Sequence, residues 1–374
     1  MNRLCLLQGA CALAGAALIG LTLAGQARSA PRSSHVSSAT IDAALRQTWS
    51  AAKVTPLERC DDATFLRRAR LDLTGSLPAP AEVEAFLADS QPGKRGRLVE
   101  RLLHEPRRAR HLARWTSEFL LGALEDTPEV RPFLASFRAW LEEAFQQDRS
   151  WAAIAARLVA VEGTTNEDPS LLYAVRYGRA GNEDLAGAVA KHFLGLSLEC
   201  ARCHDHPFSA WKQADFQALA AVFVRARLRP LRPGVLRLSE APLGEHRYQT
   251  PAGESRAAQP RYPGERSPPS SDRAVAPRSE SSPLFGTTRT SRRAAFARWL
   301  SGPQNPYLAR NLVNLTWERF FGAPLVEDGV DAAPDSPHAA LLNQLAAEGK
   351  ASGFSLRALE RAITGSLAYQ RAST

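Results

Sequence analysis

The hydrophobic residues of this chain recur at helical spacing along most of its length. The first pattern, formed by Ile41, Leu45 and Trp49, predicts a helix over residues 40–52. The same spacing predicts further helices over residues 95–103, 107–121, 131–146 and 151–160. No convincing run of alternating polar and apolar residues interrupts them, so the pattern predicts a mainly α-helical fold.

Acidic residues, glycine and proline mark the ends of two more helices. Asp61 and Asp62 can cap a helix, because a carboxylate accepts hydrogen bonds from the free N–H groups of the first turn. Gly75 and Pro78 then predict a turn. Another helix is expected to start at Pro80, since proline lacks only an N–H that has no partner there.

An amphipathic helix leads into a short cysteine motif. Leu185, Val189 and Phe193 lie on one face of a helix predicted over residues 182–198. Residues 200–204, which read CARCH, follow directly. A second apolar stripe comes after the motif and is formed by Phe216, Leu219, Ala220 and Phe223. We therefore expect the motif to lie between two buried helices.

The spacing of this motif is that of a c-type haem attachment site. Cys200 and Cys203 can form thioethers with one porphyrin, and His204 then ligates the iron. Asp205 can accept a hydrogen bond from an imidazole N–H and so strengthen the ligand. His206 is too close in sequence to reach the opposite face of the iron, so we expect it to orient Asp205 or to cap the next helix. The motif predicts one covalent haem c.

The sixth iron ligand is less well defined by the sequence. Met1 is the only methionine and lies in a segment expected to be removed, so a His/Met pair is not available. His192 and His111 are the candidate ligands, and an open position is equally admissible. A haem edge between the two helices that flank the motif would be shielded from water.

Residues 1–27 have the features of a secretory signal peptide. Arg3 precedes an apolar run, and small residues before Pro31 predict cleavage after Ala27. The expected location is therefore periplasmic or secreted, with a retained N-terminal anchor as the alternative. Cleavage lowers the formal net charge from +9 to +8 by removing Arg3. No other apolar run is long enough to predict a stable membrane span.

Three cysteines remain after this cleavage, which is not the even set of a disulfide scaffold. Cys60 has no evident partner. Two alternatives to haem remain open for the motif. Cys200 and Cys203 can form a local disulfide or a redox-active dithiol. Together with His204 and His206 they can also bind zinc or iron, although four ligands within seven residues make a compact site.

The chain divides into three parts after the signal peptide. The first is a multi-helix domain over residues 40–228 that contains the cysteine motif. Residues 229–290 are rich in Pro, Ser and Arg, with few large apolar residues, and this composition predicts a flexible linker. A smaller helical domain is expected over residues 291–374.

Several motifs resemble the paired uncharacterised domains of the planctomycete cytochrome-c-like proteins. The N-terminal resemblance rests on FLRRARLDLTGSLP at residues 65–78 and ECARCHDHPF at residues 199–208. The C-terminal resemblance rests on NPYLAR at residues 305–310 and FFG at residues 320–322. Relative to that family the C-terminal domain is expected to be truncated. The biochemical role of the family is not established.

Composition and charge narrow the classes of function. The excess of Lys and Arg suits an acidic, exported redox partner, and we do not infer nucleic-acid binding from it. No nucleophile triad, phosphate loop or paired-carboxylate pattern stands out, so an electron carrier or a binding protein is expected more than a catalyst. The sequence thus favours an exported c-type haem protein in electron transfer. The alternatives are a non-haem interaction module with a structural or redox CxxC, and a metal-dependent enzyme using the Cys/His cluster.

Overall fold

The computed structural model describes residues 36–122, 131–266, 291–327, 329–331 and 336–372. The predicted signal peptide lies outside these ranges. Fourteen α-helices lie within them: α1 Ser38–Ala51, α2 Asp62–Thr74, α3 Pro80–Ala88, α4 Lys94–His104, α5 Pro106–Leu121, α6 Arg131–Gln146, α7 Trp151–Ala160, α8 Leu171–Gly178, α9 Asn182–Val189, α10 Gln213–Phe223, α11 Arg292–Leu300, α12 Tyr307–Phe321, α13 Ala339–Ala351 and α14 Leu356–Gly365. The mainly α-helical prediction is confirmed.

The predicted N-terminal cap and C-terminal glycine of α2 are both confirmed. The Asp61 side chain accepts a hydrogen bond of 2.7 Å from the Thr64 N–H and so caps the helix. Gly75 ends it in the left-handed conformation, with φ of 66°. The ring of His111 packs against this glycine, where an added Cβ would lie 2.4 Å from His111 Nδ1.

The arginine-rich motif of α2 forms structural contacts. Arg70 pairs with Glu82 at 2.8 Å and with Glu105 at 2.7 Å, which joins α2 to the start of α3 and of α5. Arg68 donates to the Tyr369 carbonyl oxygen at 2.6 Å. The Tyr369 hydroxyl in turn donates to Asp72 at 2.7 Å. These contacts attach the end of the chain to its first helices.

The N-terminal and C-terminal segments share one hydrophobic core. Its members extend from Val36 to Tyr369, with Phe65, Phe193 and Phe296 completely buried. Helix α11 packs on α7, α12 on the segment after α9, and α14 on both α1 and α4. The two helical segments predicted over residues 40–228 and 291–374 therefore pack around one core. The helical patterns of the two segments are each amphipathic, and they bury their apolar faces against one another.

The prediction of a flexible linker is wrong for residues 229–266. Strands β2 Ala226–Arg232 and β3 Val235–Glu240 form a hairpin, and β3 also pairs antiparallel with β1 Gly163–Thr164. Strands β4 His246–Gln249 and β5 Ser255–Ala258 form a second hairpin. Residues 267–290 lie outside the described residues.

The hairpin is ordered because the helical domain supplies partners that its composition does not reveal. Leu238 is buried against Leu171 and Ala174 of α8. Pro230 is tolerated because β2 is an edge strand, where a missing N–H breaks no necessary pairing.

A buried carboxylate ties this hairpin to α11. Glu240 accepts hydrogen bonds from Ser291 Oγ and, at 2.7 Å, from the Arg292 N–H at the start of the helix. The completely buried Arg293 lies 3.5 Å from Glu240 and donates to the carbonyl oxygen of Val161 at 2.8 Å. Arginine at this position thus links the hairpin, α7 and α11.

A second buried ion cluster joins α5, α12 and α14. Glu360 is completely buried and accepts from Arg108 Nε at 2.5 Å and from Arg319. Burial by itself would raise the pKa of Glu360, but the two guanidinium groups hold it below the usual value for a glutamate. The carboxylate is therefore ionised in the folded protein.

None of the helices in the described ranges is both long and apolar enough to cross a membrane.

Candidate functional site

The chain approaches the cysteine motif through an irregular helix end. Helix α9 passes into a single π-helical turn over residues Ala190–Leu194, which stops at Gly195 with φ of 64°. Buried Leu196 and Leu198 follow, and then a 3₁₀ turn over Glu199–Arg202 that carries the first cysteine. Helix α9 is therefore shorter than predicted, because the π turn and the glycine release the chain towards the surface.

Cys200 and Cys203 are free and exposed, on either side of a completely buried Ala201. Arg202 holds this turn against α9 by ion pairs of 2.8 Å to both Glu183 and Asp184. The motif is thus anchored through its two middle residues, and this leaves both thiols accessible to solvent. The third thiol, Cys60, is buried, and its backbone N–H donates to the Gln370 carbonyl oxygen.

His204 is exposed, and one of its ring nitrogens is occupied. Nδ1 lies 2.7 Å from the backbone carbonyl oxygen of Asp205. A carbonyl oxygen only accepts, so Nδ1 carries the proton and Nε2 keeps its lone pair in the neutral ring. This arrangement of a histidine donating to a carbonyl oxygen is typical of metal-ligating imidazoles.

Asp205 accepts a hydrogen bond from the His204 ring as expected, but through its backbone carbonyl oxygen, whereas His206 does not cap a helix. The Asp205 carboxylate accepts from the Gln213 N–H at 3.0 Å, and that hydrogen bond together with Lys212 lowers the pKa of the carboxyl group. Asp205 therefore helps to cap α10, and only its backbone contacts the His204 ring. His206 Nδ1 accepts from the Phe208 N–H at 3.1 Å instead of capping a helix.

The helices on either side of the motif leave no gap for a haem edge. Helices α9 and α10 pack directly on each other, and Val189, Leu219 and Phe223 are completely buried or nearly so. The expectation of a haem edge between them is wrong, because their apolar stripes satisfy one another. A group on these thiols would lie at the surface, since both thiols are exposed.

The two candidate sixth ligands lie in other surroundings. His111 is half-buried against the end of α2. His192 is buried in the π turn, with ring contacts to Phe119, Tyr173 and Tyr177, and its Nδ1 lies 3.1 Å from the Tyr173 hydroxyl. These contacts are with residues other than those of the cysteine motif.

A cleft of about 470 Å³, lined by polar and charged residue types, opens beside Cys203. It is lined by Glu183, Gln213 and Gln217 on the helical side, and by Arg247 and residues of the second hairpin on the other. His246 lies buried behind it, with Nε2 2.5 Å from Gln217 Oε1. Gln217 also donates to the carbonyl oxygen of Arg202 at 2.8 Å, so the cleft floor supports the motif.

Sequence reasoning missed this cleft for two reasons. His246 was placed in a flexible segment, so its approach to α10 was not expected. Gln213 and Gln217 stand four residues apart in a helix whose other residues, apart from Asp215, are apolar, and this was the available signal for a polar surface there.

The compact metal site proposed as an alternative is not assembled in this structure. No group of three or more His, Cys, Asp or Glu side chains in the described ranges is placed to hold a metal ion. His204 is turned towards the Asp205 carbonyl oxygen, and His206 towards the Phe208 N–H. Zinc or iron binding by all four residues would require these hydrogen bonds to be replaced.

The motif loop is also held by the C-terminal segment. The Val330 N–H donates to the Gly195 carbonyl oxygen at 3.0 Å, and Asn311 donates to the carbonyl oxygen of His192 at 2.8 Å. The indole N–H of Trp211 donates to the Asp331 carboxylate. The segment around residues 190–211 therefore takes its position from both halves of the chain.

Gly195→Ala is expected to destabilise the protein by about 3 kcal/mol. The left-handed backbone costs an alanine about 1 kcal/mol, and its Cβ would also lie 2.5 Å from Asn311 Oδ1. Gly322→Ala is the matched control, because Gly322 has φ of 78° and nothing within 4 Å of an added Cβ. Urea unfolding measures both, and an equal loss in the two variants would contradict the close packing at Gly195.

The arrangement of segments matches two protein families. Residues 40–227 match the family described as PSCyt2, protein of unknown function (DUF1549). Residues 292–374 match the family described as PSD1, protein of unknown function (DUF1553). No curated protein and no solved structure shows a significant match. The chain therefore belongs to the PSCyt2 family, and it carries the paired PSD1 segment.

Proposed function

We propose that this protein is an exported c-type haem protein that transfers electrons. Cys200 and Cys203 would hold one haem c through thioether bonds, and His204 Nε2 would ligate its iron. The haem would supply a one-electron redox centre. The proposal includes a periplasmic or secreted location, since haem attachment to CxxCH belongs with the export signal expected at residues 1–27.

The proposal rests on the accessibility of the two thiols and of the His204 Nε2 atom in the motif. Both thiols are free and exposed on one turn, and the adjacent His204 donates through Nδ1 and keeps Nε2 for a metal. Arg202 and Ala201 hold the turn without using any of the three attaching groups. The residues present therefore fit a haem on the surface of the protein.

The surroundings favour a haem with an accessible edge. The cleft beside Cys203 is lined by polar and charged residue types, and α9 and α10 pack directly on each other. A solvent-exposed haem suits electron exchange with a partner at the surface. The excess positive charge of the chain favours an acidic, exported redox partner.

The test is covalent haem on the exported protein, produced with a c-type cytochrome maturation system. We expect a denaturing gel stained for haem peroxidase activity to show a band for the wild type and none for Cys200→Ala/Cys203→Ala. Cys60→Ala is the matched control, since it also removes a thiol but lies outside the motif. The stain should remain in this control. An unstained band from well-folded wild-type protein would refute the haem proposal.

A second candidate is an interaction module in which the CxxC is a structural or redox dithiol. It is favoured by the core around the motif, which is complete without a cofactor because α9 and α10 pack directly. This candidate expects a colourless protein whose Cys200 and Cys203 titrate as two thiols after reduction and as none after mild oxidation. The same gel and a thiol titration therefore separate the two candidates.

A further inference from the structure

A second cavity lies away from the cysteine motif, and it is apolar. Its volume is about 410 Å³, within the range of small-molecule sites. It lies between α6, α8 and the hairpin of β2 and β3. Its apolar lining comes mainly from Phe133, Pro169, Leu172, Val175, Pro230 and Leu236. Binding of an apolar ligand in this cavity would be favourable, because it removes apolar surface from water.

The frame of the cavity is rigid on the hairpin side. The Thr165 N–H donates to the Leu236 carbonyl oxygen at 3.0 Å, and the Leu236 N–H donates to Thr165 Oγ1 at 3.2 Å. Leu172 and Val235 of the lining are buried in the protein. These contacts hold the walls in place without a ligand, as in most preformed binding sites.

Two of the residues that line this cavity are exposed arginines. Arg179, just after α8, and Arg232, at the end of β2, both line the cavity and are exposed. Neither guanidinium group has an ion pair or hydrogen bond with another described residue. This contrasts with Arg70, Arg202 and Arg293, which are all paired with acids.

Two described acids that lie close in sequence to the lining residues are already engaged. Asp168, which precedes the lining residue Pro169, pairs with Arg157 and accepts from the Ser170 hydroxyl at 2.6 Å. Glu167 accepts from the Thr164 N–H at 3.1 Å. The positive charge of Arg179 and Arg232 is therefore available to an anion from solution.

We propose that this cavity binds a single-chain aliphatic carboxylate, with the alkyl chain inside and the carboxylate between Arg179 and Arg232. Each buried methylene contributes by leaving water, and guanidinium groups bind a carboxylate with charge-assisted hydrogen bonds. The site is independent of the proposed haem site, since the residues that line it lie outside the cysteine motif and its cleft.

The probe for this site is decanoate, measured by isothermal titration calorimetry with the whole exported protein. We expect saturable binding of one decanoate per chain. In Arg179→Gln/Arg232→Gln the affinity for decanoate should fall by about tenfold or more, while that for 1-decanol stays within about twofold of wild type. This difference separates the carboxylate contact from the apolar contribution.

Two further variants complete the test. Arg229→Gln/Arg237→Gln is the matched control, because it removes the same charge from exposed positions of the same hairpin that do not line the cavity. Decanoate affinity should be unchanged in it. Ser136→Trp introduces an indole from an exposed position on the lining and should weaken both decanoate and 1-decanol by about tenfold or more.

Three results would overturn the proposal. They are no saturable binding of decanoate to the wild type, equal affinity in the arginine variant and its control, and unchanged binding in Ser136→Trp. Circular dichroism of each variant should match that of the wild type, since all five substituted positions are exposed.

Discussion

Glu360→Gln is expected to lower the free energy of unfolding by about 3–5 kcal/mol, which is the typical cost of breaking a buried ion pair. The Glu360 side chain is completely buried between Arg108 and Arg319, whose side chains are only 3% and 7% exposed. A neutral amide would remove the buried negative charge that both guanidinium groups contact directly. Because these residues lie on α5, α12 and α14, the loss should affect the packing of the C-terminal segment against the N-terminal helices.

The matched control for this substitution is Glu100→Gln. Glu100 also pairs with an arginine of α14, Arg361, but both side chains are more than 40% exposed. Its loss should cost about 0–1 kcal/mol, because solvent screens an exposed pair. Urea unfolding followed by circular dichroism measures both variants. A loss below about 1 kcal/mol for Glu360→Gln would contradict the assignment of the cluster as a main link between the two segments.

The size of this effect reflects an uncompensated charge and not the net value of the cluster. Burial of three charged groups is itself costly, and their mutual attraction repays that cost only in part. Replacing all three by apolar side chains, as in Arg108→Met/Arg319→Met/Glu360→Leu, is therefore expected to restore much of the stability lost in Glu360→Gln. A triple variant as unstable as the single one would indicate that the charges are required together.

The stability of this protein is expected to fall as the pH drops below 6.5, in large part because of His192. Burial lowers the pKa of His192 from 6.5 to about 3, and nearby Lys191 adds to the effect. The ring is enclosed by Phe119, Tyr173 and Tyr177, which offer no negative charge to a protonated imidazole. The folded protein therefore holds His192 neutral.

The sign of the pH effect follows from proton binding. Between about pH 3 and 6.5 the unfolded chain binds a proton at His192 and the folded protein does not. The full stability is present above pH 6.5 and is lost as the pH falls. From pH 7.5 to 4.5, His192 alone should reduce the free energy of unfolding by about 3 kcal/mol.

The variant that tests this is His192→Phe, which keeps an aromatic ring in the cluster and removes the titrating group. We expect its unfolding free energy to lose about 3 kcal/mol less than that of the wild type over the same pH range. His104→Gln is the control, because it removes an exposed histidine that lies outside the aromatic cluster around His192. His111 and His246, whose pKa values are also lowered by burial, contribute in the same direction and remain in both variants. Identical pH profiles for wild type and His192→Phe would contradict this role.

Local chemistry made many of the helices predictable. The spacing of Ile41, Leu45 and Trp49, the cap at Asp61 and the turn at Gly75 each depend on residues within one or two turns of the backbone. The same holds for the cysteine motif, since its thiols and His204 lie within five residues. Such features can be predicted without knowing which segments pack together in the folded protein.

Long-range partners made the rest unpredictable. The segment after residue 228 is rich in proline and arginine, yet it forms strands because β1, α8 and α11 supply pairing, apolar contacts and a buried ion pair. Helix α8 was not predicted, and its apolar residues pack against this same hairpin. The amino-acid composition of a segment does not predict which distant residues it will contact.

The sequence by itself thus determined the helical class, the main helix ends and the presence of the CxxCH motif, because these follow from periodicity, capping and spacing. Only the tertiary structure decided that both segments share one core, that α9 and α10 close against each other, and that His246 supports the cleft beside Cys203. It also decided the apolar cavity lined by Arg179 and Arg232, which have no ion pair with another described residue. These features depend on contacts between residues distant in sequence. Such contacts contribute to stability only after folding has brought the apolar faces and charges together.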